Sequence, residues 1–142
     1  SILDTAKPRE GAEKLITSLH DENIKTVILS GGIQYLADKW AKKWNMDGAI
    51  ANDLIDDENG KLTAVIKSSG HNKGPVMDEM IKKYKFSRDE IAAIGDTVVD
   101  IPTFERAGLS IAVNTDDIRV ISKASYHLKG SLSELVKIII RW

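Results

Sequence analysis

No cysteine occurs in the 142 residues, so a disulfide frame, a thiolate metal centre and a cysteine nucleophile are excluded. Charge of one sign is lacking too: 20 Lys and Arg stand against 21 Asp and Glu, a net charge of −1, without long blocks of either. Composition therefore carries no footprint of nucleic acid or of a membrane surface. The apolar runs are too short to cross a bilayer, and Ser1-Ile2-Leu3-Asp4-Thr5 has neither the basic nor the apolar segment of a secretory leader. Internal repeats, linkers, low-complexity stretches, a Gly-x-Gly-x-x-Gly turn and a Walker-type lysine loop are all missing. With 42% hydrophobic residues, the expectation is one globular domain over 1–142, soluble and cytoplasmic.

What is present is organised around Ile91-Ala92-Ala93-Ile94-Gly95-Asp96-Thr97-Val98-Val99-Asp100. An apolar run ends at a glycine and two carboxylates follow, which reads as a buried strand delivering acids to the carboxyl edge of a sheet. Open α/β sheets bind ligands at that edge. Asp96 and Asp100 are hard oxygen donors of the kind that hold Mg²⁺ together with water and substrate phosphate. Equally, Asp96 could cap the next helix with Asp100 in its solvated first turn.

Along the chain, Pro8 and the spacing of Ala12, Leu15, Ile16 and Leu19 predict a helix over 8–21. Ile24 to Leu29 reads as a strand, closed by Ser30-Gly31-Gly32 before a helical pattern from Ile33 to Trp44. Strand, Ser-Gly-Gly, helix outlines a phosphate cradle, in which glycines let backbone N–H groups approach an anion and the Ser30 hydroxyl donates. A plain turn with a serine cap fits those residues as well. Gly48 to Ala51 is a short strand, and 52–67 alternates around Asn59-Gly60 as an antiparallel hairpin. His71-Asn72-Lys73-Gly74-Pro75 opens a helix through Tyr84. A lysine there opposes the helix dipole, so Lys73 is either a solvated surface group or the partner of an anion. After Gly108 come a strand at Ile111 to Asn114, a brief helix at 118–122, a strand at 125–128 and a closing helix at 132–140. Trp40, Trp44 and Trp142 fit helix packing better than a stacking platform. The alternation predicts an α/β fold, a doubly wound and mostly parallel sheet with one small antiparallel hairpin.

Ile28-Leu29-Ser30-Gly31-Gly32, then Lys73 opening a helix, then Gly95-Asp96-Thr97-Val98-Val99-Asp100 resemble, in this order, motifs II, III and IV of the haloacid dehalogenase superfamily, in its phosphoserine-phosphatase-like branch. The resemblance runs from Ala6-Lys7-Pro8-Arg9-Glu10-Gly11 to the last helix. It implies a Rossmann-like core and Mg²⁺-dependent hydrolysis of a small phosphomonoester through an aspartyl-phosphate intermediate. It also implies roles: Ser30, Gly31 and Gly32 bind phosphoryl oxygens, Lys73 neutralises charge on nucleophile and phosphate, Asp96 ligates the metal directly, and Asp100 supports it through water.

Two departures qualify the resemblance. Val99 stands where phosphoserine phosphatases usually carry an asparagine, which puts that substrate in doubt. The family's Asp-x-Asp nucleophile motif does not occur in these residues. Residues 1–6 resemble instead the tail of the cap helix, so the expectation is that a second chain or an upstream segment supplies the first strand, or that the two strands flanking its slot pair directly. A non-catalytic relative that binds a phosphorylated ligand or a partner protein is the alternative, and a receiver-like domain sharing only the architecture a third.

Overall fold

The structure, a computed structural model, describes residues 7–56, 59, 62–65 and 73–142. In chain order the elements are α1 (Ala12–Asp21), β1 (Val27–Ile33), α2 (Gln34–Lys43), β2 (Gly48–Asp56), β3 (Leu62–Val65), α3 (Gly74–Tyr84), β4 (Ala92–Gly95), α4 (Ile101–Phe104), β5 (Leu109–Val113), α5 (Ile118–Ile121), β6 (Tyr126–Leu128) and α6 (Leu135–Arg141). The expected α/β alternation is therefore formed. The chain divides into two compact units, residues 1–68 with 131–141 and residues 69–130 with 142.

The first unit carries the sheet β1-β2-β3. β1 and β2 are parallel, with Val27 opposite Gly48, and β2 and β3 form the antiparallel hairpin, with Asp53 opposite Val65. Of the hairpin turn only Asn59 lies within the described residues. Leu15 and Leu19, one turn apart on α1, are buried, as are Leu135 and Ile139 on α6. Leucines at that spacing make one apolar stripe, and burying it rather than intrinsic propensity is what holds a ten-residue helix. The helix begins at Ala12 and not at Pro8, because Gly11 adopts a left-handed φ of 79°. That glycine is forced: a Cβ there would stand 2.5 Å from the Ser133 nitrogen and 2.9 Å from that of Leu132, where Leu132 N donates to Glu10 O at 2.9 Å. On α2 the small Ala37 and Ala41 are buried. Trp40 and Trp44 lie against each other with ring centroids 4.9 Å apart, and the Lys43 ammonium sits 5.0 Å from the Trp40 ring. Trp40 and Trp44 thus pack on each other at the end of α2, whereas Trp142 is exposed.

The second unit carries β4-β5-β6, all parallel, with Ala92 opposite Leu109 and Ile111 opposite Tyr126. Every residue of the central β5 is buried, as expected for a parallel strand covered on both faces. Its one polar side chain, Ser110, is paired with the Ser125 hydroxyl at 3.2 Å. β1 and β4 belong to separate sheets, so the direct β1–β4 ladder entertained from sequence is not formed among the described residues. No described helix is long and apolar enough to cross a membrane.

Two substitutions test the backbone constraints. Gly11→Ala lowers the unfolding free energy by about 2 kcal/mol or more, because the new Cβ meets backbone in a left-handed conformation. Lys85, the C-cap of α3, is also left-handed at φ 58° but exposed, so Lys85→Gly stabilises by roughly 0.5–1 kcal/mol. Urea unfolding of both variants against the parent should give shifts of opposite sign.

Candidate active site

In the second unit, β4 ends at Gly95 and the chain turns at once through Asp96 and Thr97. The Asp100 carboxylate organises that turn from inside. Its Oδ2 accepts from the backbone N–H of Asp96 at 2.9 Å and of Thr97 at 3.1 Å, and from the Thr97 hydroxyl at 3.4 Å. Its Oδ1 accepts from the Lys73 ammonium at 2.6 Å. The Asp100 side chain is 5% exposed and that of Lys73 14%, so this is a nearly desolvated, charge-assisted contact. Gly95 is a glycine for close approach: a Cβ there would lie 2.6 Å from Asp100 Oδ2.

From sequence, Asp96 could be a cap and Asp100 a solvated first-turn residue. The structure makes Thr97 the cap, with Asp100 three residues on answering it from inside the turn, and it buries Asp100. Asp96 remains half-buried at the carboxyl end of β4. Thr97, to which the sequence reading assigns no role, contributes both an amide and a hydroxyl to the turn. The signal was available, since Thr97-x-x-Asp100 is a capping-box spacing.

Lys73 stands at the N-cap of α3, where the helix dipole disfavours a cation. Its anionic partner is now evident in Asp100. Behind this pair, Arg106 braces α3 to α4. Its guanidinium donates to Asp78 at 2.6 and 3.1 Å and to the Pro102 carbonyl at 2.8 Å. The hydrogen bond from Arg106 holds the Asp78 carboxyl below the usual range. Gly74 leaves room for the brace, for a Cβ there would stand 2.8 Å from Arg106 Nη1. Neither Arg106 nor Asp78 stands out in the sequence, because their 28-residue separation has no local signature.

Ser30, Gly31 and Gly32 belong to the first unit and lie on β1 where its ladder with β2 shifts register. The Ser30 hydroxyl oxygen accepts from Gly32 N at 2.9 Å, which leaves its hydrogen for another acceptor. A Cβ on Gly31 would meet nothing within 4 Å, and Gly31 has no left-handed φ. Among the described residues, then, neither backbone strain nor packing explains that glycine.

Among the described residues no three His, Cys, Asp or Glu side chains converge as a cation cage. The donor set nevertheless suits Mg²⁺, which commonly takes one or two carboxylates and fills its shell with water and phosphate. Of the two carboxylates, Asp100 could reach a metal directly only by giving up Lys73 or the turn amides.

The family model of haloacid dehalogenase-like hydrolases matches residues 1–108, and the chain belongs to that family. It is 34% identical over 120 residues to the phosphoserine phosphatase of Archaeoglobus fulgidus, covering 82% of this chain and 35% of that protein. To the phosphoserine phosphatase of Methanocaldococcus jannaschii it is 32% identical over 136 residues, covering 93% and 64%. A crystal structure of phosphoserine phosphatase in apo form superposes with a TM-score of 0.86 at 30% identity, covering 96% of this chain and 70% of that one. A phospho-aspartyl intermediate analogue of phosphoserine phosphatase gives 0.86 at 30% identity, covering 96% and 66%. The chain thus spans between about one third and two thirds of the length of these curated relatives.

The two carboxylates should separate cleanly by stability. Asp100→Asn leaves a mostly buried ammonium without its counter-ion and lowers the unfolding free energy by about 3 kcal/mol. Asp96→Asn, at a half-buried turn position, costs under about 1 kcal/mol. Equal losses in urea unfolding would remove Asp100 as the organiser of the turn.

Proposed function

We propose that the chain forms part of a Mg²⁺-dependent phosphomonoesterase acting on a small phosphorylated substrate, with phosphoserine the first to try. The observation that carries this reading is the Lys73 ammonium on one oxygen of Asp100 while the other oxygen holds the Asp96 turn. One buried carboxylate thereby keeps a cation and a second carboxylate as near neighbours at the end of β4. That is the pairing phosphoryl transfer needs, where positioning and charge neutralisation supply most of the acceleration.

In this reading Ser30, Gly31 and Gly32 bind phosphoryl oxygens, and Lys73 offsets the charge of phosphate and nucleophile. Asp96 would hold Mg²⁺ directly and Asp100 through water. When bound, the ion would supply charge stabilisation on the phosphoryl oxygens. The Asp-x-Asp nucleophile is not among these residues. It is therefore assigned to polypeptide outside them, a preceding segment or a second chain. Phosphoryl transfer runs from the substrate oxygen to an aspartate oxygen and then to water. The phospho-aspartyl intermediate analogue among the structural relatives supports that route.

A second reading, a non-catalytic module that binds a phosphorylated ligand, is favoured by the missing motif and by Val99. The two separate experimentally. With a polypeptide carrying the Asp-x-Asp segment supplied to the chain, turnover of an aryl phosphate and of phosphoserine with Mg²⁺, abolished by Asp96→Asn, supports the phosphatase. Calorimetric binding of inorganic phosphate without any turnover supports the module. Equal turnover by parent and Asp96→Asn sinks the first reading, and neither heat nor turnover sinks both.

Gly31→Ala gives a sharper check on the cradle. With open space around its Cβ and an ordinary φ, the variant should be as stable as the parent or up to about 1 kcal/mol more so. Phosphate affinity should nevertheless fall at least tenfold. A variant that binds phosphate like the parent removes the glycine from the site.

A further inference from the structure

We infer that the side-chain amides of Gln34 and Asn52 are positioning residues that hold the Ser30-Gly31-Gly32 turn in its bulged shape. Their relevance to phosphate rests on the function proposed above; their hold on the turn does not.

The β1–β2 ladder shows why a hold is needed. Leu29 lies opposite Ile50 and the next pair is Ile33 opposite Asn52, so β1 advances four residues while β2 advances two. Two residues of β1 are therefore in excess, and the strand must bulge across Ser30, Gly31 and Gly32. Backbone groups that leave a ladder need other partners, and glycine-rich segments hold their register weakly. Something must therefore specify the bulge.

Two side chains are placed to do so. Asn52 Nδ2 donates to the Gly31 carbonyl at 3.0 Å, fixing the tip of the bulge to the very residue at which the ladder resumes. Gln34 follows directly on β1 as the first residue of α2. Its Oε1 accepts from Ala51 N at 2.7 Å and its Nε2 donates to Ala49 O at 3.0 Å. A parallel strand paired at Ile50 would donate to the residue before it and accept from the residue after it. The Gln34 amide makes that same pair of bonds, standing in for a peptide group and fastening the start of α2 to β2. Gln34 Nε2 reaches the Asp38 carboxylate at 2.7 Å as well, which restricts the amide's own rotation.

Both residues are neutral, and this matters at an anion site. A carboxylate here would repel phosphate, and a lysine would compete for it. An amide supplies both a donor and an acceptor without either penalty.

The test uses the full chain with Asn52→Leu and Gln34→Met, each of similar volume but without hydrogen bonds. Ala37→Gly in the same helix serves as a control that loosens α2 without touching the turn. Amide hydrogen exchange is read at residues 30–33 and inorganic phosphate affinity is measured with Mg²⁺ present. Exchange at Gly32 should accelerate at least tenfold in both variants and phosphate affinity fall at least fivefold, while Ala37→Gly, at comparable lost stability, changes neither. Should either variant fail to fold, Asn52→Ser and Gln34→Ala carry the same comparison. Unchanged exchange at residues 30–33 in both positions overturns the inference. Accelerated exchange with phosphate affinity intact overturns their relevance to phosphate and leaves the hold on the turn. If the parent itself binds no phosphate while exchange accelerates as expected, the proposed function fails and the hold on the turn stands.

Discussion

The Asp100 carboxylate is the constraint on which the second unit's functional end depends. A carboxylate with so little exposure is tolerated only because its oxygens are met by donors: two backbone amides, a hydroxyl and an ammonium. Each of those donors is itself placed by something else. The amides come from the turn that ends β4, the ammonium from the N-cap of α3, and the room for the carboxylate from the missing side chain at Gly95. Without the anion, Lys73 would be a cation at the wrong end of a helix dipole, and the turn would have two unsatisfied N–H groups. The outer contacts of Arg106 with Asp78 and Pro102 join the same two helices, so the arrangement is braced away from the chemistry as well as within it.

The first unit reaches a similar end by different means. Its Ser-Gly-Gly turn is held by neutral amides and a hydroxyl, and the glycine at its tip is left open. A carboxylate-bearing turn tolerates a buried counter-charge, because its own anion needs one. The Ser-Gly-Gly turn carries no carboxylate of its own and finds its partners in a hydroxyl and a side-chain amide.

Much of this was legible in the residues, and the limits are physical. The β5 strand could be read from the apolar run at Ile111-Ala112-Val113, although it begins two residues before that run, at Leu109. The hairpin could be read from its alternation, and Lys73 stood out because it violates the dipole preference. Boundaries were less visible. α1 starts four residues later than Pro8 suggests, since Gly11 takes a left-handed conformation packed against residues near 132, over a hundred positions away. β1 extends past Leu29 through the glycines because the ladder resumes at Ile33, which no local propensity encodes. Within the site, Asp96 and Asp100 looked alike from sequence. Only the tertiary partners show that one is sealed inside the turn and the other stands at its rim. Gln34 and Asn52 were invisible for the same reason, a polar residue near a turn being unremarkable until its partner is known.

The saturation of Asp100 has one more consequence. Every group that shapes the Asp96 turn comes from the chain itself, so a ligand arriving there meets a turn that is already built. None of its interaction energy is diverted into ordering backbone, and departure leaves no collapsed loop to be reopened. Preorganisation of that kind leaves more of any contact energy to appear as affinity, since the ordering cost is met when the chain folds.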